Sequence, residues 1–206
     1  MKDYEELSRK HFDKQADKYD QTNTTYYSKE GKISCRDIAD YLKDKEFKKL
    51  LDVGTGTGYL IELLIKEHDA QYYGLDLSRE MIKVAKGKNI KNTEFIEGVA
   101  NKLPYENESF DVVTCSQSFH HYPYQEDALS EAYRVLKKDG IYILSDTGVG
   151  GIPALIDNYI IFPLLKSGDC KTHNKNEIAK MMETTGFKIE KKYNIKRFLY
   201  TVIGRK

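Results

Sequence analysis

The chain has 206 residues, of which 40% are hydrophobic and 32% are charged, as is usual for a globular protein. Its formal net charge of +1 excludes a strongly basic nucleic-acid-binding protein, although residues 186–206 carry seven basic residues and one acidic residue. No stretch is long and apolar enough to span a bilayer, and we expect no signal peptide. The three distant cysteines, Cys35, Cys115 and Cys170, favour a reducing compartment, so we predict a cytoplasmic protein.

The predicted elements begin with two helices. Apolar residues spaced three to five positions apart predict an amphipathic helix over residues 3–20, and a similar pattern predicts a second helix over residues 32–45. The polar residues 21–31 are predicted to connect them. We group residues 1–46 as an N-terminal helical lid and residues 47–206 as the main domain.

In the main domain, predicted strands alternate with predicted helices. The strands are 48–53, 71–78, 92–98, 110–115, 141–146, 187–195 and 196–204, and the helices are 59–66, 79–86, 125–136 and 175–185. This alternation predicts right-handed βαβ units and a mainly parallel sheet. The last two strands are too close in sequence for a crossover, so they must form an antiparallel hairpin. The predicted fold is therefore α/β: five parallel strands plus a C-terminal hairpin in one seven-stranded mixed sheet, flanked by helices.

Residues 147–174 form a long segment after the fifth strand, rich in glycine and large apolar residues. Long segments of this kind inside a compact domain are usually functional, so we predict a substrate-side insertion that serves as a lid or pocket wall. The apolar and aromatic residues expected to line the substrate pocket are Tyr26, Tyr27, Ile152, Leu155, Ile156, Tyr159, Ile160 and Phe162. The alternative interpretation assigns them to the core or to a dimer contact.

A glycine-rich turn joins the first predicted strand to its helix. Gly54, Gly56 and Gly58 alternate with other residues, and Asp52 stands two residues before the first glycine. Ligands of open parallel sheets bind at the carboxyl ends of the strands, and glycine lets the backbone approach them closely. A P-loop is excluded because no lysine follows the last glycine. The dinucleotide pattern is excluded because Tyr59 stands where its third glycine is required.

Asp76 ends the second predicted strand, 18 residues beyond Gly58. A carboxylate at this place can accept hydrogen bonds from both hydroxyls of a ribose. Together with the glycine-rich turn, it predicts an adenosine-bearing ligand. The alternative is a tight turn in which Asp52 and Asp76 only cap helices.

From about residue 12 to residue 205 the sequence resembles the class I S-adenosylmethionine (SAM) methyltransferases. Within that class it looks most like the small-molecule branch related to ubiquinone/menaquinone biosynthesis methyltransferases, which have a methyltransferase type 11 domain. The segments that carry the resemblance are HFDKQADKYD, LLDVGTGTGYL, YYGLDLSREMIKVAK, GVANKLPYENESFDVVTCSQSFHHY and EAYRVLKKDGIYILSD. The resemblance implies a Rossmann-like fold, SAM as cofactor and S-adenosyl-L-homocysteine (SAH) as its product.

The resemblance also implies a cofactor site. The residues it places there are Tyr19, Asp52, Gly54, Thr55, Gly56, Gly58, Asp76, Leu77, Met81, Val99, Ala100, Ser116 and Gln117. Asp52 would contact the methionine amino group, Asp76 would hold the ribose, and Tyr19 would cover the cofactor. Relatives usually carry an acid at the position of Val99, where it bonds the adenine amino group. The valine predicts either weaker SAM binding or an adenine contact that shifts to Asn101 or to water.

The candidate catalytic residues follow the fourth and fifth strands. His120 and His121 titrate near neutrality, which suits a general base if the methyl acceptor is a hydroxyl or a protonated amine. Asp146 and His173 are further candidates on the same side of the sheet. The alternative is that a histidine merely caps a helix or packs on the sheet. No metal is predicted, because adjacent histidines point apart on regular backbone and no carboxylate completes a ligand motif.

The predicted function is methyl transfer from SAM to a small molecule by in-line displacement, carried out by a monomer or homodimer that binds no nucleic acid. One alternative is an RNA or protein methyltransferase of the same fold, supported only by the basic C-terminal hairpin. The other is a non-catalytic SAM- or SAH-binding module, supported by Val99. Turnover with small molecules would argue against the first alternative, and SAM binding without turnover would favour the second.

Overall fold

The computed structural model describes residues 3–20 and 26–206, with the side chains of residues 26–28 left out. Its centre is one seven-stranded sheet in the order β3-β2-β1-β4-β5-β7-β6. The strands are β1 (Lys49–Val53), β2 (Gln71–Asp76), β3 (Thr93–Glu97), β4 (Phe110–Ser116), β5 (Leu136–Thr147), β6 (Lys188–Asn194) and β7 (Leu199–Arg205). The first five are parallel, and β7 runs antiparallel to both β5 and β6. The predicted fold is confirmed.

Helices cover both faces of the sheet. They are α1 (Tyr4–Asp13), α2 (Tyr26–Leu42), α3 (Tyr59–Leu64), α4 (Arg79–Gly87), α5 (Gln125–Val135), α6 (Gly151–Ile156), α7 (Phe162–Leu164) and α8 (Lys175–Thr185). Short 3₁₀ turns span Ala16–Lys18 and Phe119–His121, and a π-helical turn spans Asp157–Ile161. A capping box of Asn174 and Glu177 begins α8.

The core has two layers because successive residues of a strand point to opposite faces. Leu50 and Val112 are buried on the side that α2, α3 and α4 cover. Their neighbours Leu51 and Val113 are buried on the side that α5 and α8 cover. The central strands β1 and β4 are thus buried on both faces. This is why their sequences are continuous apolar runs rather than alternating ones.

The order of strands reverses between β1 and β4, since successive parallel strands run outward from this point in both directions. Such a reversal opens a crevice at the carboxyl ends of the strands, where helices leave the sheet on opposite faces. The glycine-rich turn of residues 54–58 follows β1, and residues 117–122 follow β4. Two of the predicted functional segments therefore meet at one edge of the sheet.

Several predicted boundaries were wrong. The helix predicted over residues 3–20 ends at Asp13, where the chain turns to bring Tyr19 to the glycine-rich turn. Residues 26–31, predicted as a connection, form the first turns of α2. This stretch is polar, but its lysine and glutamate have good helix propensity, so polarity alone does not exclude a helix.

Residues 151–164, the middle half of the predicted insertion, are helical. α6, the π-helical turn and α7 follow one another from Gly151 to Leu164. Within this run the apolar side chains of Ile152, Leu155, Ile156, Tyr159, Ile160 and Leu164 are between 45% and 77% exposed. Burial is confined to Ala154, so the run packs on the domain through a small part of its surface.

In the described part of the chain, no helix is long and apolar enough to cross a membrane. Cys35, Cys115 and Cys170 are free thiols. The cytoplasmic location, the boundary between residues 46 and 47 and the oligomeric state stay predictions.

Candidate active site

A cleft lies at the carboxyl ends of β1, β2 and β4 and encloses about 1150 Å³, counting its open mouth. Twelve of the thirteen residues predicted to bind the cofactor line it: Tyr19, Asp52, Gly54, Thr55, Gly56, Asp76, Leu77, Met81, Val99, Ala100, Ser116 and Gln117. Gly58 is not part of the wall.

The three glycines of the turn all have positive φ, of 76°, 54° and 81° in chain order, which favours glycine at each. A Cβ atom at Gly54 would overlap the side chain of Ser118, so this glycine makes room for the segment after β4. A Cβ atom at Gly58 would lie 2.8 Å from the Phe95 ring. Gly58 therefore allows close packing between α3 and β3 instead of contacting a ligand.

Two carboxylates stand at the base of the cleft, that of Asp52 buried and that of Asp76 half-buried. Thr114 Oγ1 donates to Asp52 at 2.7 Å. The backbone N–H groups of Gly56 and Ser78 donate to Asp76 at 2.7 and 2.8 Å. Burial raises the pKa of Asp52 and of Asp76 to about 6, against the opposing effect of these hydrogen bonds. An ionised carboxylate has about four lone-pair positions, so Asp76 can still accept bonds from a ligand.

The N-terminal segment closes over the cleft through its own carboxylates. Asp13 accepts a 2.6 Å hydrogen bond from Ser78 Oγ. Asp20 accepts one of 2.6 Å from Thr57 Oγ1 and forms a 2.7 Å ion pair with Lys88. Because these partners belong to the glycine-rich turn and to α4, the described lid residues are held directly on the predicted cofactor loop.

Several lining residues were not predicted. They are Glu5, Ser8, Phe12, Asp20, Gly31, Lys32, Cys35, Thr57, Tyr59, Leu60, Leu75, Gly98, Ser118, Tyr122, Pro123 and Tyr124. The spacing of Lys32 and Cys35, one helical turn apart on α2, was a usable signal for a helix face at the cleft. Asn101 also lines the cleft beside Val99, and its contact with adenine stays a prediction.

The candidate catalytic residues are divided between the cleft wall and the layer behind it. His121 lines the cleft, whereas His120 and Asp146 are buried behind it. Asp146 accepts the backbone N–H of His120 at 3.0 Å and lies 2.6 Å from its Nδ1. Burial alone would lower the pKa of His120, but Asp146 and Asp169 outweigh it and leave the pKa raised. Burial, and then the charge of His120, lower the pKa of His121.

Other residues predicted on the substrate side lie elsewhere. His173 Nε2 is 2.9 Å from Gln125 Oε1 and does not line the cleft. The predicted pocket-wall residues Ile152, Leu155, Ile156, Tyr159, Ile160 and Phe162 do not line it either. The reason is that the helical run 151–164 packs at the rim of the domain instead of folding into the crevice. The side chains of Tyr26 and Tyr27 are outside the described part.

Comparison with known proteins gives this arrangement a family. Residues 51–144, which contain the glycine-rich turn, Asp76 and both histidines, match the family described as "Methyltransferase domain". Uncharacterized protein MJ1252 of Methanocaldococcus jannaschii is 31% identical over 186 residues, which cover 90% of this chain and 69% of that protein. This chain belongs to the methyltransferase domain family.

The other relatives agree with this assignment. The uncharacterized methyltransferase YcgJ of Bacillus subtilis is 31% identical over 61% of this chain and 55% of its own length. A demethylmenaquinone methyltransferase of Chlorobaculum tepidum is 35% identical over 52% of this chain and 44% of its own length. The chain thus spans about half the length of these curated relatives.

Among solved structures, the chain in complex with the Haloferax volcanii Trm112 methyltransferase activator has a TM-score of 0.82. The alignment covers 96% of each chain at 17% identity, so it supports the fold of this methyltransferase domain.

The carboxylates of Asp52 and Asp76 should have pKa values well above those of ordinary aspartates. In ¹³C NMR titrations of the carboxyl carbons, we expect midpoints near pH 6 for Asp52 and Asp76, with Asp52→Asn and Asp76→Asn used for assignment. Because these folded-state pKa values exceed the unfolded value of 3.8, ionisation of each group destabilises the folded chain. The free energy of unfolding should therefore rise as the pH falls from above 6 towards 4. For each group the rise is on the order of 1 kcal/mol between pH 7.5 and 5. Midpoints near pH 4 for both groups would contradict this description.

Proposed function

We propose that this methyltransferase domain binds SAM in the cleft and transfers its methyl group to a small apolar or aromatic acceptor. The observation that carries the proposal is the position of Asp76. Its half-buried carboxylate stands at the end of β2, beside the glycine-rich turn and in the crevice where the strand order reverses. A carboxylate in this position can accept hydrogen bonds from both hydroxyls of a ribose.

The residues of the cleft fit the parts of SAM. Asp52 is a buried carboxylate at the end of β1 and suits the amino group of the methionine part. The turn at Gly54 and Gly56 has no side chains at these two positions, so it leaves space for the ligand beside Asp52. Leu77 and Met81 offer apolar contacts to the adenine next to Asp76, and Asn101 is the polar side chain of the cleft wall that is nearest in sequence to Val99. SAM supplies an activated sulfonium methyl group, so the chain mainly has to align the acceptor and exclude water.

The acceptor side of the cleft is proposed to be the end at His121. Phe12 packs edge-on against the His121 ring, with centroids 5.0 Å apart, and Tyr122 and Tyr124 line the same region. Aromatic walls of this kind suit an aromatic acceptor. The relative named as a demethylmenaquinone methyltransferase supports a quinone-like molecule.

His121 is proposed to contact the acceptor, and His120 and Asp146 are proposed to position it. His121 Nδ1 is buried and has no hydrogen-bond partner in the described part of the chain. An unpaired buried nitrogen costs about 1–3 kcal/mol, which a ligand bound beside it at this end of the cleft would recover. The Asp146 carboxylate holds both the backbone and the ring of His120, and so sets the path of the turn that carries His121.

Cofactor binding tests the first part of the proposal. By calorimetry, we expect micromolar binding of SAM and SAH to the wild-type chain and at least about 10-fold weaker binding to Asp76→Asn, because one of the ribose acceptors is lost. Glu97→Gln is the matched control, since Glu97 pairs with Asp76 across β2 and β3 but is exposed and outside the cleft. No binding to the wild type at millimolar ligand would sink the proposal.

Turnover tests the second part. With phenolic and quinol acceptors, we expect SAH formation to fall at least about 100-fold in His121→Asn while SAM binding stays within about threefold of the wild type. His173→Asn should retain activity, because His173 lies outside the cleft. If wild type binds SAM but turns over none of a broad set of small molecules, the chain is a binding module or acts on a macromolecule instead.

A further inference from the structure

A second chemical feature lies in the wall of the cleft, behind the predicted acceptor side. One ligating atom from each of His120, His121 and Asp169 lies within 4.8 Å of the other two. All three residues are buried, with exposures of 7%, 9% and 5%. His120 Nε2 is 3.8 Å from Asp169 Oδ1, which is too long for a hydrogen bond but leaves space for an ion between them.

Each of these three residues is oriented by an outer partner that leaves one lone pair directed elsewhere. The Nδ1 atom of His120 pairs with Asp146 at 2.6 Å, which leaves Nε2 on the side of Asp169. His121 hydrogen-bonds to the backbone of Gly168, and its Nδ1 atom has no partner. Asp169 accepts from Ser167 through Oδ2, which leaves Oδ1 free to face His120. Outer partners of this kind are typical of metal-ligating histidines and carboxylates.

The charges of the cluster favour a divalent cation. Asp146 and Asp169 bring two carboxylates into a buried region. In the described part of the chain, neither forms an ion pair with a lysine or an arginine. Buried charges are normally paired or bound to metals, and one divalent ion with two neutral imidazoles would balance both carboxylates.

We propose that His120, His121 and Asp169 form a site for a divalent transition-metal ion, with Zn²⁺ as the best fit. Two imidazoles and one carboxylate suit Zn²⁺, and three protein ligands leave its fourth position open, as in catalytic rather than structural zinc sites. Because His121 lines the cleft, the open position lies at the cleft wall. This juxtaposition was missed in the sequence because Asp169 stands 48 residues after His121.

The local backbone explains how adjacent histidines can share one ion. His120 and His121 lie in a 3₁₀ turn, not on a strand, and their ring centroids are 4.2 Å apart with an angle of 42° between the planes. Residues 165–170 then run back towards the same turn, where the N–H of Cys170 donates to the carbonyl of His120 at 2.9 Å. This bond holds the loop that supplies Asp169 against the two histidines.

The site also suggests how the acceptor is bound, and this part rests on the proposed function. An ion at the cleft wall would bind an oxygen, nitrogen or sulfur atom of the acceptor and favour its deprotonated form. Metal binding itself does not depend on SAM or on turnover. The site can therefore be tested separately from methyl transfer.

The direct test uses the tag-free full chain, stripped with a chelator and titrated with Zn²⁺ against a chromogenic competitor. We expect one equivalent of Zn²⁺ per chain, and at least about 100-fold weaker binding in Asp169→Asn. His68→Asn is the matched control, because His68 also has a buried ring nitrogen without a partner but packs on Phe47 away from the cluster. No saturable Zn²⁺ binding by the wild type, or equal loss in the control, would overturn the proposal.

A second measurement on the wild type covers the case in which Asp169→Asn does not fold. Co²⁺ bound to two imidazoles, one carboxylate and one further ligand gives strong visible absorption, whereas octahedral aqua Co²⁺ gives weak bands. We expect the strong spectrum at one equivalent of Co²⁺ and its loss on adding Zn²⁺. A spectrum like that of free Co²⁺ would contradict the site, while leaving SAM binding and methyl transfer to their own tests.

Discussion

Two backbone N–H groups, from Gly56 and Ser78, converge on the half-buried carboxylate of Asp76, and the rest of the cleft depends on this contact. It joins the glycine-rich turn after β1 to the beginning of α4 after β2. Ser78 in turn donates to Asp13 of the lid and caps α4 through Met81. One carboxylate thereby fixes the loop, the helix and the N-terminal segment relative to one another.

This arrangement destabilises the folded chain, and the proposed binding of SAM accounts for it. A carboxylate half-buried at the end of a strand loses hydration, and its raised pKa shows that the charged form is disfavoured in the folded chain. The same holds for Asp52, one strand away. Stability alone would be better served by neutral side chains at both places. A ligand whose hydroxyl and amino groups donate hydrogen bonds to Asp52 and Asp76 would compensate for their lost hydration. The two carboxylates therefore lower the stability of the free chain but favour ligand binding.

The fold and most of the residues that line the cleft were predictable because their signals are local. Apolar runs define the parallel strands, the short link before β7 requires a hairpin, and Asp52, Gly54 and Asp76 occupy fixed places relative to strand ends. The acceptor side was less predictable because its signals are distant in sequence. Asp169 reaches His120 through a loop that follows a helical run, and composition alone does not show how that loop returns.

The helical run 151–164 shows a second limit of the sequence. Its large apolar residues led us to expect a pocket wall, since such residues usually seek burial. Ile152 and Tyr159 are instead more than 70% exposed. Periodicity shows which residues share a face of a helix but not which neighbour that face meets, and here the cleft is closed by α1 and Tyr19 instead.

We propose that the cleft at the carboxyl ends of β1, β2 and β4 holds the adenosine and methionine parts of SAM. A crystal structure of the full chain with SAH tests it most directly. We expect the ribose hydroxyls of SAH to lie within hydrogen-bond distance of Asp76 and its amino group to lie near Asp52. Its sulfur should face the side of the cleft that His121 lines. A ribose bound away from Asp76, or a cleft that stays empty at saturating SAH, would contradict it.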